Sequence, residues 1–458
     1  MGDLLARYDR PGPRYTSYPT AVEFHGGVDA AAYAGSLARA DAFAADALSA
    51  YIHLPFCEER CAYCGCNVVI TRHRDVAGRY LEYLDREIDL LAAHLPHRRL
   101  LSQLHWGGGT PTYYTAPQLE RIFERLARHF TFAPAAEIGV EIDPRVTSAD
   151  QLRTLRRLGF NRLSMGVQDF APEVQEAVNR VQSYELTRDL LEEARALGFS
   201  SINIDLIYGL PYQSAGGFGR TLEQVIGLRP GRVAVYSFAY VPWIRAHMKH
   251  LPEASLPGPA LKIALLALAR QAFTGAGYRA IGMDHFAVPD DELARALDAR
   301  CLHRNFMGYT VQPARDMVAL GVSGIGDVQG TFVQNTKKLS EYYAALDAGR
   351  FPVERGYVLD ADDRIRRHVI TELMCNGHLD VREVERRFEI PFADYFAAEL
   401  RDLTGPDSPG ADGLVTVGAD TIDVTPLGRM FVRNVCMLFD RYLPARARSA
   451  TPVFSRTV

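Results

Sequence analysis

Short apolar runs alternate with longer amphipathic runs along the middle of the chain. The runs that predict strands are SAYIHL, SQLHW, AEIGVEI, NRLSMGV, SSINIDLIYG, RVAVYSFAY and YRAIGMDHF. Between them lie runs with a helical period, namely VAGRYLEYLDREIDLLAAHL, PQLERIFERLARHF, SADQLRTLRRLG, ELTRDLLEEARALG, a stretch near 221–226 and one that begins at Leu261. Repeated β–α units, about six of them here, predict a parallel sheet with right-handed crossovers, either open or closed toward a barrel.

The pattern changes on both sides of this α/β region. Residues 1–47 form a lead-in rich in Pro and Ala without a strong strand pattern, and the β–α units fall within residues 48–355. Residues 356–458 contain helical runs, then the hairpin-like LVTVGADTIDVT and one more helix. We therefore expect a lead-in that either covers the mouth of the core as a lid or packs on its wall, an α/β core, and a C-terminal α-rich domain similar to a winged helix.

Several predicted strands alternate between apolar and polar positions, as in AEIGVEI, NRLSMGVQ and SINIDL. Strands of a parallel sheet that is covered on both faces are usually apolar almost throughout. Because side chains alternate between faces, we expect the apolar set to face the helices and the polar set to line a wet cavity. Glu141, Gln168 and Asp205 fall at the carboxyl ends of their strands, where α/β folds place their sites. A sheet with one solvent-exposed face is the alternative.

Composition limits the classes of function. The chain is 48% hydrophobic and 23% charged with a net charge of −4, which is typical of a globular protein and provides no electrostatic reason to expect nucleic acid. The N-terminus lacks an apolar signal-peptide core, and the most hydrophobic run, LKIALLALARQAF, is interrupted by Lys262 and Arg270. We therefore expect a cytoplasmic protein with no membrane span, and a monomer by default.

Four of the seven cysteines lie close together in HLPFCEERCAYCGC. Cys57, Cys61 and Cys64 have the spacing C-x₃-C-x₂-C, and Cys66 follows. In a reducing compartment such a group is more often a metal or redox site than a disulfide framework. Three thiolates on one loop fit an iron–sulfur cubane that leaves one iron open. A structural zinc site, which needs a fourth ligand, is the alternative.

This spacing resembles the radical S-adenosylmethionine (SAM) superfamily. Two more features fit the resemblance, namely Tyr63 before the third cysteine and the Gly-rich turn HWGGGTPT after the second predicted strand. The resemblance implies that the open iron chelates the amine and carboxylate of SAM. It also implies that the reduced cluster passes one electron to the sulfonium, which releases methionine and a 5′-deoxyadenosyl radical that abstracts hydrogen.

The resemblance becomes narrower when the whole chain is considered. The segments that carry it are YDRPGPRYTSYPTAVEF, YIHLPFCEERCAYCGC, SMGVQDF, VNRVQ, INIDLIYGLPYQ, GMDHFA, LHRNFMGYT, GVSGIGD and GRMFVRNVCMLFDRY. Together they are similar to the oxygen-independent coproporphyrinogen III oxidases, also called coproporphyrinogen dehydrogenases, of anaerobic haem biosynthesis. The resemblance implies a partial, three-quarter (β/α)₆ TIM-like barrel with a C-terminal helical domain. It also implies oxidative decarboxylation of two propionates of coproporphyrinogen III to vinyls, which forms protoporphyrinogen IX.

The resemblance also assigns roles by position. Cys57, Cys61 and Cys64 would hold a [4Fe–4S] cluster, whereas Cys66 matches a family cysteine that is not a ligand. The SAM on the cluster would contact Tyr51, Gly108, Glu141 and Ile325, and a second SAM would contact Tyr63, Gly109, Thr110, Gln168, Arg180, Asp205 and Ala239. The implied partners are coproporphyrinogen III, an electron donor and a terminal electron acceptor, both unidentified. A tetra-acid substrate also needs positive charge, for which Arg14, His303 and Arg304 are candidates.

Two related classes remain open beside the oxidase. One is a haem-chaperone-like paralogue that keeps the cluster but not the decarboxylation, and the other is a different radical enzyme of tetrapyrroles. Chaperone-like paralogues generally lack the PGPRYTSYPT lead-in, the cysteine after the triplet and the arginine equivalent to Arg180. All three are present here. We therefore predict the oxidase.

Overall fold

The computed structural model describes residues 2–312, 314–446 and 454–457, which fold around one large mixed sheet. Two helices precede the sheet, α1 (Gly2–Tyr8) and α2 (Ala30–Asp41). Asp29 caps α2, because its carboxylate accepts a hydrogen bond from the amide of Ala32 at 2.9 Å.

Six parallel strands form the centre of the sheet. Along the chain the elements are β1 (Leu48–Leu54), β2 (Phe56–Cys57), β3 (Val69–Ile70), α3 (Arg74–His94), β4 (Leu100–Gly108), α4 (Ala116–Ala127), β5 (Thr131–Ile142), α5 (Ala149–Arg157), β6 (Arg162–Gln168), α6 (Pro172–Ala177), α7 (Tyr184–Ala196), β7 (Ser201–Tyr208), α8 (Ala215–Leu228) and β8 (Arg232–Ser237). β1 pairs with β4, and the parallel order continues through β5, β6, β7 and β8. The predicted α/β alternation is therefore present, and β2 and β3 form a small separate pair.

The helices of this region begin at capping side chains and bury one apolar stripe. α4 begins after Thr115, whose amide donates to the side-chain oxygen of Gln118 at 2.9 Å. Leu119, Ile122 and Leu126 recur at helical spacing and are buried. Their stripe belongs to the same hydrophobic core as the apolar face of β5. The opposite, polar face of β5 is therefore left to line the interior.

The region after β8 differs from the prediction. Its elements are α9 (Pro259–Gly275), β9 (Arg279–Ala280), β10 (His285–Ala287), α10 (Glu292–Asp298), β11 (His303–Asn305), β12 (Gly308–Thr310), β13 (Met317–Leu320), β14 (Ile325–Val328), β15 (Thr331–Asn335), α11 (Leu339–Asp347) and β16 (Val353–Val358). The run YRAIGMDHF forms β9 and β10 instead of one strand. Because β10 is antiparallel to β8, it ends the parallel series.

Four strands that the sequence pattern did not identify extend the other edge of the sheet. β13 pairs parallel to β1, and β14, β15 and β16 continue in antiparallel order. These strands are four to six residues long, and β13 and β15 are buried along their whole length. Short strands that are buried on both faces lack the alternation that identifies a strand from sequence. The described part of the sheet has twelve strands in all.

The C-terminal part combines helices with a small sheet. Its elements are α12 (Ala361–Asn376), β17 (His378–Asp380), α13 (Val381–Phe388), α14 (Phe392–Tyr395), α15 (Ala397–Thr404), β18 (Val415–Val417), β19 (Thr421–Val424), α16 (Val432–Leu438) and α17 (Leu443–Arg446). A hydrophobic cluster of its own includes Leu373, Leu403 and Val435. The boundaries near 47 and 355 remain predictions. No helix in the described ranges is long and apolar enough to span a membrane.

The first half of the lead-in contacts mainly the C-terminal part. The hydroxyl of Tyr15 donates to Asp440 at 2.9 Å, and Tyr18 is buried in the C-terminal hydrophobic cluster. The guanidinium of Arg433 donates to backbone carbonyls of residues 12, 13, 456 and 457. Arg14 reaches the other part of the molecule through an ion pair with Asp284. Farther along the lead-in, His25 exchanges backbone hydrogen bonds with Gly356 of the edge strand β16, and α2 packs into the main hydrophobic core. The first half of the lead-in is therefore fastened to the C-terminal part, whereas its second half packs on the α/β core. Its role as a lid or as a packed segment stays a prediction.

A buried ion pair connects the turn before β4 with the residue before β13. The side chains of Arg98 and Asp316 are both 0% exposed. Arg98 also donates to the carbonyls of Asp46 and Ala47. Asp316 accepts hydrogen bonds from the amide and side chain of Gln329. The pair therefore holds together four stretches of chain around the start of β1.

We predict that Asp316→Asn lowers the free energy of unfolding by about 3–5 kcal/mol, because Arg98 would keep its charge without a charged partner and without water. Urea unfolding of the variant and the original chain measures this difference. The control is Asp85→Asn, which removes the partly exposed ion pair of Asp85 with Arg121 and should cost less than about 1 kcal/mol. Equal losses in both variants would contradict the prediction.

Candidate active site

A cavity of about 590 Å³ lies at the carboxyl ends of the parallel strands. It is lined by the loop after β1, the glycine turn after β4, the ends of β5 and β6, and part of β7. All the site residues predicted from the sequence line it except Tyr51, Ala239 and Ile325. A smaller cavity of about 150 Å³ continues along the polar strand faces, beside Glu137 and Asn203. The alternating strands therefore do enclose a polar interior.

Backbone hydrogen bonds fix the cysteine loop against the glycine turn. The amide of Gly109 donates to the carbonyl of Leu54, and the amide of Thr110 donates to that of Phe56, both at 2.9 Å. A Cβ atom at Gly109 would lie 2.6 Å from the backbone carbonyl of Pro55. Only glycine permits this close approach of two backbones.

The three predicted ligand cysteines are free thiols on this loop. The Sγ of Cys57 lies 3.4 Å from the hydroxyl of Thr110. The Sγ of Cys61 lies 3.7 Å from a guanidinium nitrogen of Arg145 and equally far from one of Arg180. Positive groups at this place would complement the negative charge of an iron-bound thiolate.

The donor set fits an iron–sulfur cluster with three protein ligands. Thiolates are the usual protein ligands of such clusters, and Cys57, Cys61 and Cys64 all line the large cavity. Within the described residues, no three Cys, His, Asp or Glu side chains are gathered closely enough to hold a single metal ion. The fit therefore rests on the chemistry of the donors and their shared cavity wall, not on convergence at one point.

A buried carboxylate that the sequence analysis did not select organises the two arginines. Asp143 follows β5 and accepts from Arg145 at 2.7 Å and from Arg180 at 2.9 Å. Burial acts to raise the pKa of Asp143, but the charges of Arg180 and Arg145 outweigh it and lower the pKa overall. A cue existed in the sequence, since Asp143 stands two residues after Glu141 at the same strand end.

Glu141, near the end of β5, points into the cavity with 47% of its side chain exposed. Its carboxylate accepts from the amide of Gly108 at 3.2 Å and lies 3.4 Å from Nε2 of His105. The surrounding protein acts to raise the pKa of Glu141, but the hydrogen bonds from His105 and Gly108 outweigh this effect and lower it. The group is therefore an ionised acceptor suited to an amine or a ribose hydroxyl.

Asp205 and Gln168 complete the polar wall. Asp205 lies three residues before the end of β7, although the sequence pattern placed it at the strand end. It accepts from Ser164 at 2.9 Å and from Asn203 at 2.7 Å, yet burial raises the pKa of Asp205 to about 6. Gln168 ends β6 with φ of 72°, a left-handed conformation that is strained for a residue other than glycine.

The remaining predicted residues lie outside the lining of the large cavity. Tyr51 stacks its ring on that of His105, with centroids 6.2 Å apart. The ring of His105 therefore lies beside both Tyr51 and the carboxylate of Glu141. Ala239 lies in the loop after β8, and Ile325 begins β14 and packs against a cluster that includes Phe24. The backbone or packing roles expected of Ala239 and Ile325 remain predictions.

The three candidates for positive charge have structural partners. Arg14 forms an ion pair with Asp284, and Arg304 donates to the carbonyl of Arg14. Burial lowers the pKa of His303 to about 4, with a further contribution from Arg367. His303 is therefore neutral near pH 7 and does not supply positive charge there.

Two family models match the chain. Residues 51–225 match the model of the Radical SAM superfamily. This range includes the cysteine loop and five of the six parallel strands. Residues 359–431 match that of the HemN C-terminal domain. The two matches coincide with the α/β region and the C-terminal helical region.

Similar proteins cover the whole chain. The oxygen-independent coproporphyrinogen III oxidase of Pseudomonas aeruginosa is 44% identical over 458 residues, with coverage of 100% of this chain and 98% of the relative. The relative of the same name from Escherichia coli K12 is 46% identical over 455 residues, which are 99% of this chain and 98% of the relative.

A solved structure agrees with these relatives. It is described as "Coproporphyrinogen III oxidase (HemN) from Escherichia coli is a Radical SAM enzyme", and it matches with a TM-score of 0.90 and 46% identity, covering 94% of this chain and 97% of that one. The fold and the cysteine site define a radical SAM oxidoreductase, which uses a [4Fe–4S] cluster and SAM. The chain belongs to the family of oxygen-independent coproporphyrinogen III oxidases. The resemblance inferred from the sequence is confirmed, and the relatives support the oxidase over the haem-chaperone-like alternative.

We predict that Gly109→Ala greatly reduces cluster content, because the added Cβ would push the backbone at Pro55 and displace the cysteine loop. Iron and sulfide per chain after anaerobic reconstitution measure the effect. Gly65→Ala is the matched control, since it lies on the same loop and its Cβ would meet no atom within 4 Å. Full cluster content in Gly109→Ala would show that the close approach is not required.

Proposed function

We propose that this protein converts two propionate side chains of coproporphyrinogen III to vinyl groups and so forms protoporphyrinogen IX. The observation that carries the proposal is the shared cavity, in which a three-cysteine loop faces two carboxylates and a buried arginine. The names of the relatives supply the substrate. We also propose a three-quarter (β/α)₆ barrel for residues 48–355, flanked by the lead-in 1–47 and the C-terminal domain 356–458.

We assign the cluster to Cys57, Cys61 and Cys64, with one iron left for SAM. When bound, the cluster supplies one electron to the sulfonium of SAM, which yields methionine and a 5′-deoxyadenosyl radical. Guanidinium nitrogens of Arg145 and Arg180 lie 3.7 Å from Sγ of Cys61, and Asp143 holds both arginines in place. The polar wall of the cavity orients the ligand, so that the radical forms beside its target.

Two SAM sites fit the distribution of polar groups. Gly108 and Glu141, with Tyr51 and Ile325 behind them, are assigned to the SAM on the cluster. We assign a second SAM to Tyr63, Gly109, Thr110, Gln168, Arg180, Asp205 and Ala239. Nε of Arg180 supports this assignment, because it is a buried donor without a protein partner, and such donors normally have one. A ligand carboxylate is a suitable acceptor for a guanidinium.

The overall reaction balances with one hydrogen atom and one electron removed from each propionate. Loss of a hydrogen atom from the carbon next to the macrocycle, followed by loss of one electron, releases the carboxylate as carbon dioxide and leaves a vinyl group. The hydrogen atom goes to 5′-deoxyadenosine. The electron needs a terminal acceptor, which is why an acceptor belongs among the proposed partners.

We predict that Cys61→Ala abolishes turnover, because the cluster would lose the ligand held by both arginines. The assay combines anaerobically reconstituted protein, dithionite, SAM and coproporphyrinogen III, and it measures protoporphyrinogen IX, carbon dioxide and 5′-deoxyadenosine. Cys301→Ala is the control, because Cys301 is exposed and far along the chain from the loop. Full turnover by Cys61→Ala would overturn the ligand assignment. Formation of 5′-deoxyadenosine without decarboxylation would favour another radical enzyme of tetrapyrroles.

We predict that the affinity for SAM falls about tenfold between pH 7 and pH 5. With a pKa of about 6, Asp205 is ionised at pH 7 and only about one-tenth ionised at pH 5. The apparent Kd for SAM rises as the fraction of protein with ionised Asp205 falls. Anaerobic calorimetry with the holoenzyme measures the affinity. Asp205→Asn should remove this pH dependence, since Glu141 and Asp143, which also line the cavity, both have a lowered pKa. An unchanged pH profile in that variant would assign the effect elsewhere.

A further inference from the structure

The loop after β8 covers the outer side of the cysteine loop. Nε2 of His247 donates to the backbone carbonyl of Cys64 at 2.9 Å, and Arg245 donates to the carbonyl of Gly65. Met248 and Leu251 anchor this stretch, since they are 2% and 3% exposed and belong to one hydrophobic cluster. Residues 243–250, called here the outer segment, therefore lie between solvent and the third proposed cluster ligand.

The outer segment exposes two large apolar side chains to solvent. Trp243 is 51% exposed and Ile244 is 55% exposed, and neither lines a described cavity. Val181, which lines the large cavity together with Arg60, is 66% exposed. Adjacent exposed apolar side chains of this size mark interaction surfaces, and tryptophan is enriched among the residues that carry binding energy.

Positive charge surrounds these apolar residues. Arg60, Arg245 and His250 all lie close enough to His247 to act on its charge. Lys249 and His250 are exposed, and in the described part of the chain Arg60, Lys249 and His250 form no ion pair. Glu253 accepts a hydrogen bond from Tyr240. The acidic neighbours of Arg60 in the chain, Glu58 and Glu59, form ion pairs with Arg74 and Arg72. The surface is thus locally basic, although the chain as a whole has a net charge of −4.

This inference rests on the proposed function, in which each SAM cleavage consumes one electron that this chain does not itself supply. We propose that the outer segment, together with Arg60, is the docking surface for a small acidic one-electron carrier protein. The carrier is oxidised by one electron and the cluster is reduced by one electron. The hydrogen bond from His247 to Cys64 places the outer segment in direct contact with the backbone of a cluster ligand. Complementary charge would speed the encounter and make it sensitive to salt.

Binding to the holoenzyme tests the docking surface without turnover. The probe is a reduced flavodoxin, and calorimetry at low and high salt measures its Kd. We expect Lys249→Glu and the double variant Trp243→Ala with Lys249→Glu to raise the Kd at least tenfold, and the affinity of the original protein to fall with salt. The control is Arg128→Glu, because Arg128 is exposed, forms no described ion pair and follows α4 at the opposite end of the sheet from the cysteine loop. Equal binding by all variants would overturn the proposal.

The choice of reductant separates docking from other roles. With reduced flavodoxin, Lys249→Glu should form 5′-deoxyadenosine at least tenfold more slowly at limiting carrier, whereas with dithionite its rate should equal that of the original protein. Loss with both reductants would indicate a structural role and overturn the proposal. A raised KM for coproporphyrinogen III with dithionite would instead identify a substrate surface and also overturn it. If the original protein forms no protoporphyrinogen IX with dithionite, the proposed function fails, while the Kd values still decide the docking surface.

Discussion

The close contact between two backbones after β1 and β4 sets the geometry on which the site depends. The strand ladder continues beyond both strands, because the amides of Gly109 and Thr110 donate to the carbonyls of Leu54 and Phe56. This contact brings the first cysteine next to Thr110 and turns the loop across the carboxyl edge of the sheet. The edge itself exists because parallel strands all finish at the same side. A side chain at position 109 would leave the loop no room to approach the glycine turn.

The charged side chains of the cavity differ in their partners and in their pKa values. Asp143 accepts from two arginines, and the same arginines lie beside the sulfur of Cys61, so that negative and positive groups alternate along one wall. Glu141 and Asp205 line the same cavity, yet hydrogen bonding lowers the pKa of the first and burial raises that of the second. The carboxylates of Glu141 on β5 and Asp205 on β7 therefore respond differently to pH.

Much of the α/β region could be predicted from periodicity. Long helices with one apolar stripe, and strands with alternating burial such as β6, were identified because their burial is one-sided. β13 and β15 were not, because strands buried on both faces have no alternation. The sequence pattern predicted one strand where the structure has β9 and β10. β9 is only two residues long, which is too short for its periodicity to show that the chain reverses and pairs antiparallel with β10. Asp143 was missed although it stands two residues after Glu141, because its importance depends on Arg180, which approaches from a distant part of the chain.

The sequence by itself determined the cofactor chemistry and the family, because the cysteine spacing, the glycine turn and the segments along the chain are local patterns that a linear reading preserves. It also determined that the sheet would have a polar interior, since alternation follows from strand geometry alone. Only the tertiary structure decided which polar groups are ionised, that His303 is neutral, that the first half of the lead-in fastens to the C-terminal part, and that an exposed basic segment lies over Cys64. Those properties depend on burial and on contacts between residues far apart in the chain, which no local pattern records.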